Sequence, residues 1–142
     1  MKRIFVDTVY WLAVFLPRDP WAETARAIDC SDALLITSEE VLSEFLAAVS
    51  AHGDYTRRLA CRLVRAILGD SGVEVAVQSH ESFLAGLALY ERRSDKQYSL
   101  TDCISMNVMR RRRVTEVLTN DRHFAQEGFT PLLNRPSGVG TV

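Results

Sequence analysis

Short β-type runs recur along this chain, and most of them lead directly into a helix-start signal. Ile4-Phe5-Val6 ends at Asp7. Ala33-Leu34-Leu35-Ile36 ends at Thr37 and enters Thr37-Ser38-Glu39-Glu40, which fits a capping box. Val41, Phe45, Ala48 and Val49 continue from there at helical spacing. Val73 to Val77 precedes Ser79 and a helix through Phe83, Leu87 and Tyr90. Val114 to Thr119 precedes Asp121 and a short helix, and Gly128 leads into a last strand, Phe129 to Leu133. Strands separated by helices are joined by crossovers rather than hairpins, so neighbours lie parallel. The expectation is an α/β domain with a mainly parallel sheet and helices on both faces.

Other segments fill in this frame. Val9 to Leu16 is apolar and stopped by Pro17, and Pro20 opens a helical segment from Trp21 to about Asp29. Gly53 reads as the end of the helix that follows the second strand. Asp54 reads as the cap of a further helix carrying Leu59, Leu63, Ala66 and Ile67 on one face, ended by Gly69 and Gly72. A polar loop, Arg92 to Tyr98, precedes Ser99-Leu100-Thr101-Asp102, which opens a helix with Ile104, Val108 and Met109 on its apolar side. Residues 1–133 are expected to form one domain. Residues 134–142, with Pro136, Gly138 and Gly140, are expected to form a flexible tail.

A chain of 142 residues and 16.0 kDa, 47% hydrophobic and 25% charged, suits one globular domain and excludes a disordered or collagen-like chain. A net charge of −1 excludes a uniformly basic nucleic-acid coat, although local basic patches can still steer a polyanion. No segment approaches the roughly 20 apolar residues of a membrane span. Lys2 and Arg3 resemble the start of a signal peptide, but Asp7 interrupts the apolar run, so a cytoplasmic protein is expected. Cys30, Cys61 and Cys103 are odd in number and widely spaced, as for reduced thiols.

The acidic residues fall in a pattern. Asp7 and Asp121 each follow a strand, Glu40 and Glu44 lie in the first turns of the helix after the second strand, and Asp102 lies in the first turn of its helix. In an open parallel sheet these positions gather on one edge, where ligands bind. Converging carboxylates repel one another, and a hard divalent cation such as Mg²⁺ or Mn²⁺ removes the conflict. Such a cation also suits phosphodiester cleavage by water. Each acid has a structural alternative: Asp102 with Ser99 and Glu40 with Thr37 fit capping boxes, and Asp7 and Asp121 fit turns. Glu44 lies beyond the cap, among Leu42, Phe45 and Leu46.

Other chemistries fit less well. His52, His80 and His123 lack zinc-ligand spacing, and His123 reads as an exposed helix residue. Cys103 reads as a small core residue, and no phosphate-cradling glycine loop occurs. Arg110 to Arg113 reads either as solvated cations at a helix C-terminus or as a phosphate-contacting surface helped by Arg57, Arg58, Arg62 and Arg65.

Four blocks carry a family resemblance: Phe5-Val6-Asp7-Thr8; Thr37-Ser38-Glu39-Glu40-Val41-Leu42-Ser43-Glu44-Phe45; Tyr98-Ser99-Leu100-Thr101-Asp102-Cys103-Ile104-Ser105-Met106; and Leu118-Thr119-Asn120-Asp121-Arg122-His123-Phe124, followed by Gly128-Phe129. Together they resemble the PIN-domain nucleases, in particular the VapC-type toxins of toxin–antitoxin pairs. The resemblance spans Ile4 to about Leu133. It implies a three-layer α/β/α sandwich and a metal-dependent endoribonuclease that uses Mg²⁺ or Mn²⁺. It also implies metal-binding, catalytic acids at Asp7, Asp102 and Asp121, with Glu44 as the second acid and Glu40 as its fallback. Thr8 and Ser105 would support them by hydrogen bonding. Val9-Tyr10 depart from the pattern, standing where smaller or polar residues are frequent. An RNA substrate, a cognate antitoxin over the acidic groove and a homodimer are the implied partners.

Two readings from other classes compete. A PIN-fold module could bind RNA or a partner without catalysis. A receiver-type phosphoacceptor domain also gathers acids at strand ends, but it needs a lysine after a late strand, and the chain has only Lys2 and Lys96. For the dimer, the apolar positions Leu42, Leu46, Val49, Leu59, Leu63 and Ile67 are expected to exceed what one core hides and so to supply an interface.

Overall fold

The computed structural model describes residues 1–134. Five strands form one sheet: β1 (Lys2–Val6), β2 (Ala33–Ser38), β3 (Val73–Ala76), β4 (Glu116–Leu118) and β5 (Thr130–Pro131). Their order is β3-β2-β1-β4-β5, and every neighbouring pair is parallel. Phe5 sits at the centre, opposite Ile36 on one side and Val117 on the other. Ile4, Phe5, Val6, Ile36, Val117 and Leu118 are buried, as expected for strands covered on both faces.

Seven helices among the described residues cover the sheet: α1 (Thr8–Phe15), α2 (Ala22–Ala27), α3 (Glu39–Val49), α4 (Asp54–Gly69), α5 (His80–Arg92), α6 (Leu100–Arg112) and α7 (Arg122–Gln126). The chain winds outward from β1 to β3, then crosses back to place β4 on the far side of β1. Right-handed crossovers put α1 to α4 on one face and α5 to α7 on the other, which completes the expected α/β/α sandwich. The strand order reverses between β1 and β4, and the carboxyl ends of those two strands frame a crevice.

Several boundaries differ from the sequence reading, each for a local reason. The apolar run from Val9 to Leu16 belongs to helix α1 and ends before Pro17. The cap of α3 is Ser38, whose hydroxyl accepts from the Val41 N–H at 3.2 Å. Thr37 is still in the strand, and its hydroxyl donates to the Val6 carbonyl at 2.9 Å. Helix α3 stops at Val49, and Gly53, with φ at +91°, is the N-cap of α4 rather than the end of α3. Asp54 is therefore inside α4, paired with Arg58 at 2.8 Å. The last two strands are shorter than Val114–Thr119 and Phe129–Leu133.

The apolar positions of α3 and α4 are largely spent on the core. Leu42, Val49 and Ile67 are buried, and Leu46 and Leu63 pack against the same cluster. The exposed apolar stripe lies instead on α5, at Phe83, Leu84, Leu87 and Tyr90. Two of the four arginines in the run, Arg110 and Arg112, are committed to structure. Arg110 pairs with Glu127 and lies over the Phe129 ring, and Arg112 forms two bonds to Glu74 at 2.6 and 2.8 Å. Apart from Asn134, the expected flexible tail falls outside the described residues.

Candidate metal centre

Asp7 is the first residue beyond β1 and the N-cap of α1. Its N–H still reaches the Leu118 carbonyl of β4 at 3.3 Å, so its position is fixed by the sheet itself. Its Oδ2 accepts from the Thr119 hydroxyl at 2.8 Å, and the residue is only 7% exposed. Thr119 also accepts from the Asp121 N–H at 3.2 Å, so one side chain ties together the acids that follow β1 and β4.

Asp121 caps α7, with Oδ1 accepting from the His123 N–H at 2.9 Å. Asp102 is the third residue of α6 and completes a capping box with Ser99: its N–H donates to the Ser99 hydroxyl at 3.0 Å, and its Oδ2 accepts from the Ser99 N–H at 3.1 Å. Capping does not remove it from the crevice, because Asp102 also lines the cleft. Glu44, on α3, accepts a hydrogen bond from the Thr8 hydroxyl.

Asp7, Glu44, Asp102 and Asp121 all line one open cleft of about 800 Å³, with Thr119 and His123 in its wall. Arg122 lies at the same cleft and is exposed. Glu40 goes elsewhere, into a separate depression with Gln78, Ser79, His80 and Phe83. Val9 lines the main cleft, whereas Tyr10 packs edge-on against Trp11. Ser105 is fully buried, and its hydroxyl has no hydrogen-bond partner among the described residues.

The charges conflict. Burial pushes the Asp7 carboxyl up to about 7, helped by the negative charges of Asp102 and Glu44 and opposed by the bonds from Thr119 and the Thr8 N–H. Asp102 is also raised, first by burial and then by Asp121, against the pull of Ser99 and His123. Among the described residues no lysine or arginine forms an ion pair with any of the four acids. Glu127 makes the contrast. It too is enclosed, but Arg93, Arg110 and the Tyr98 hydroxyl hold it down at about 2.

A PIN domain match covers residues 4–129. The chain belongs to the PIN-domain family. Among solved structures this PIN domain resembles VapC20 of Mycobacterium tuberculosis, described as a toxin that cleaves the sarcin–ricin loop. They share 26% identity and a TM-score of 0.75 over 94% of this chain and 99% of that one. The likeness to FitAB bound to a DNA fragment is 17% identical with a TM-score of 0.63, covering 90% and 92% of the two chains. A toxin–antitoxin complex from Klebsiella pneumoniae gives 15% and 0.56, covering 84% and 87%. At those identities the last two speak to the fold. No curated protein matches the chain in sequence at a significant level.

The residues of this PIN domain suit a divalent cation. The donors are carboxylate oxygens from four different elements, one of them buried against its own charge, and none is ion-paired with a lysine or arginine among the described residues. Hard oxygen donors of this kind suit Mg²⁺ or Mn²⁺. Asp102, Asp121 and His123 bring potential ligand atoms within 4.8 Å of one another. His123 is not the exposed helix residue that the sequence suggested. Its ring lies on Tyr98 at 5.4 Å, and Nδ1 is buried 3.2 Å from Asp121 Oδ1. Thr119 also escaped the sequence reading. Its signal was a threonine at a strand end two residues before an aspartate, a spacing that lets a hydroxyl bond a nearby N–H.

Proposed function

We propose that this PIN-domain protein is a divalent-metal-dependent endoribonuclease and the toxin of a VapC-type toxin–antitoxin pair. The observation that carries the reading is the convergence of Asp7, Glu44, Asp102 and Asp121 on one cleft, where no lysine or arginine among the described residues forms an ion pair with any of them. In water these groups would avoid one another, so a fold that holds them together is organised for a cation supplied from outside.

Bound there, Mg²⁺ or Mn²⁺ would supply Lewis-acid stabilisation of a phosphodiester and make a coordinated water a nucleophile near neutral pH. Asp7, Asp102, Asp121 and Glu44 are the residues that would hold it. Thr119 and Thr8 orient Asp7 and Glu44 and leave other carboxylate lone pairs free for a ligand. Arg122, exposed at the cleft, offers a guanidinium to a flanking phosphate. The substrate class is RNA, the class of the loop named for VapC20.

The same acidic cleft is the place where an antitoxin would act, by inserting an arginine or lysine that competes with the cation for the same negative charge. A homodimer fits the exposed apolar stripe on α5 better than the largely buried α3–α4 positions. Sedimentation should give a species near twice 16.0 kDa, reduced to monomer by Leu84→Glu; a wild-type species near 16.0 kDa would refute the dimer. Cytoplasmic residence accompanies this role, and no helix among the described residues is long and apolar enough to cross a membrane.

The activity is tested by incubating the purified chain with RNA. Fragments should appear with Mn²⁺ or Mg²⁺, vanish in excess EDTA and return when metal is restored. Cleavage that persists in EDTA, or none with any divalent metal, contradicts the reading.

A further inference from the structure

His123 lines the cleft beside two of its carboxylates. Its backbone N–H is taken by Asp121, but its Nδ1 is buried and has no hydrogen-bond partner among the described residues. That nitrogen lies 3.2 Å from Asp121 Oδ1 and 3.6 Å from Asp102 Oδ2. Two ligands each roughly 2.1 Å from one metal are about 3.0 Å apart at a right angle and about 3.4 Å apart at a tetrahedral angle. The separation from Asp121 matches that of neighbouring ligands of one ion, the separation from Asp102 is slightly wider, and potential ligand atoms of all three residues lie within 4.8 Å of one another. The Tyr98 ring against the imidazole limits its rotation.

We propose that His123 Nδ1 is a direct metal ligand alongside Asp102 and Asp121, and that it biases the cleft toward Mn²⁺ over Mg²⁺. The proposal rests on the reading of the cleft as a divalent-metal site. The preference follows from donor type: both ions accept carboxylate oxygens, but Mg²⁺ is the harder and holds its waters, so it gains less than Mn²⁺ from an imidazole nitrogen. Asp7 and Glu44, which line the same cleft, supply oxygen donors only.

The experiment is pulsed electron paramagnetic resonance of the Mn²⁺-loaded wild-type chain, prepared once at natural abundance and once with ¹⁵N-histidine. A ¹⁴N modulation that is replaced by its ¹⁵N counterpart on labelling supports the proposal. It needs no variant, and His52 and His80 are exposed residues outside the cleft. Titration calorimetry adds the selectivity. His123→Ala, or His123→Gln if the first is poorly folded, should weaken Mn²⁺ binding about tenfold or more and leave Mg²⁺ binding within about threefold. Bound Mn²⁺ without a histidine nitrogen signal overturns the proposal while the metal reading stands. Equal losses for both ions in the variants overturn the preference. No Mn²⁺ binding to the wild-type chain overturns both.

Discussion

Thr119 shows how little side chain is needed to set the geometry of the cleft. Its single hydroxyl donates to Asp7 and accepts from the Asp121 N–H, so Thr119→Val leaves a buried carboxylate and an amide each short of a partner. Losing such bonds costs about 1–3 kcal/mol. The expected outcome is a stability loss of that size by urea denaturation, with RNA cleavage reduced about tenfold or more; unchanged cleavage would show that Asp7 is held by other means. Glu127 gives a prediction on pH. Its carboxyl is held at about 2 by Arg93, Arg110 and Tyr98, well below its ordinary 4.5. The folded state therefore gains stability that is fully present above pH 4.5 and is lost as the pH falls toward 2. Glu127→Gln should flatten the acid limb of a stability–pH curve, and an unaltered limb would refute the assignment. Asp7, Asp102 and Asp121 were legible in the sequence because each follows a strand or opens a helix, whereas Glu44, in the middle of α3, was reached through the family resemblance. His123 and Thr119 were not, because their roles depend on how two turns fold back on each other.

Helices α5 and α6 meet at Gly86. A Cβ placed there would sit 2.5 Å from Ile104 Cγ1 and 3.4 Å from Leu100 Cδ1. The pair crosses closely because Gly86 has no side chain, and this contact sets how the start of α6, with Asp102, lies over the sheet. Gly86→Ala gains about 1 kcal/mol of helix propensity but meets an overpacking cost of about 1–3 kcal/mol. A net fall in stability is expected, and Ile104→Ala should be less harmful in the Gly86→Ala background than alone. Strict additivity in that double-mutant cycle would contradict the contact. At this scale the order and type of elements were readable from apolar runs and capping signals. Boundaries were less so where two residues compete for one role: Thr37 and Ser38 could each cap α3, and the strand pairing of Thr37 decides for Ser38. Gly53 was placed at the wrong end of a turn, because a glycine at positive φ serves equally well after one helix or before the next.

The whole molecule divides its charges by sheet edge. The carboxyl ends of β1 and β4 carry the unneutralised acids, whereas the arginine run lies at the far end of α6, roughly 18 Å along its axis. There Arg110 and Arg112 pair with Glu127 and Glu74, whereas Arg111 and Arg113 are exposed with no ion pair among the described residues. Binary pattern revealed the sandwich, because crossovers between parallel strands admit few arrangements. It did not reveal the exposed face, because apolar residues on α3, α4 and α5 look alike until the sheet decides which helices are covered. On the proposed reading, this fold holds carboxylates together, against their repulsion, for a metal ion that supports RNA cleavage. Asp7→Asn isolates that role, because it keeps the shape and a hydrogen-bond acceptor for Thr119 but removes the buried charge. Two quantities are measured on the same protein: RNA cleavage with Mn²⁺, and the melting temperature in EDTA. Cleavage should fall at least about 100-fold, with a melting temperature equal to the wild type or about 2–8 °C higher. Cleavage at the wild-type rate by a folded Asp7→Asn chain would contradict that reading.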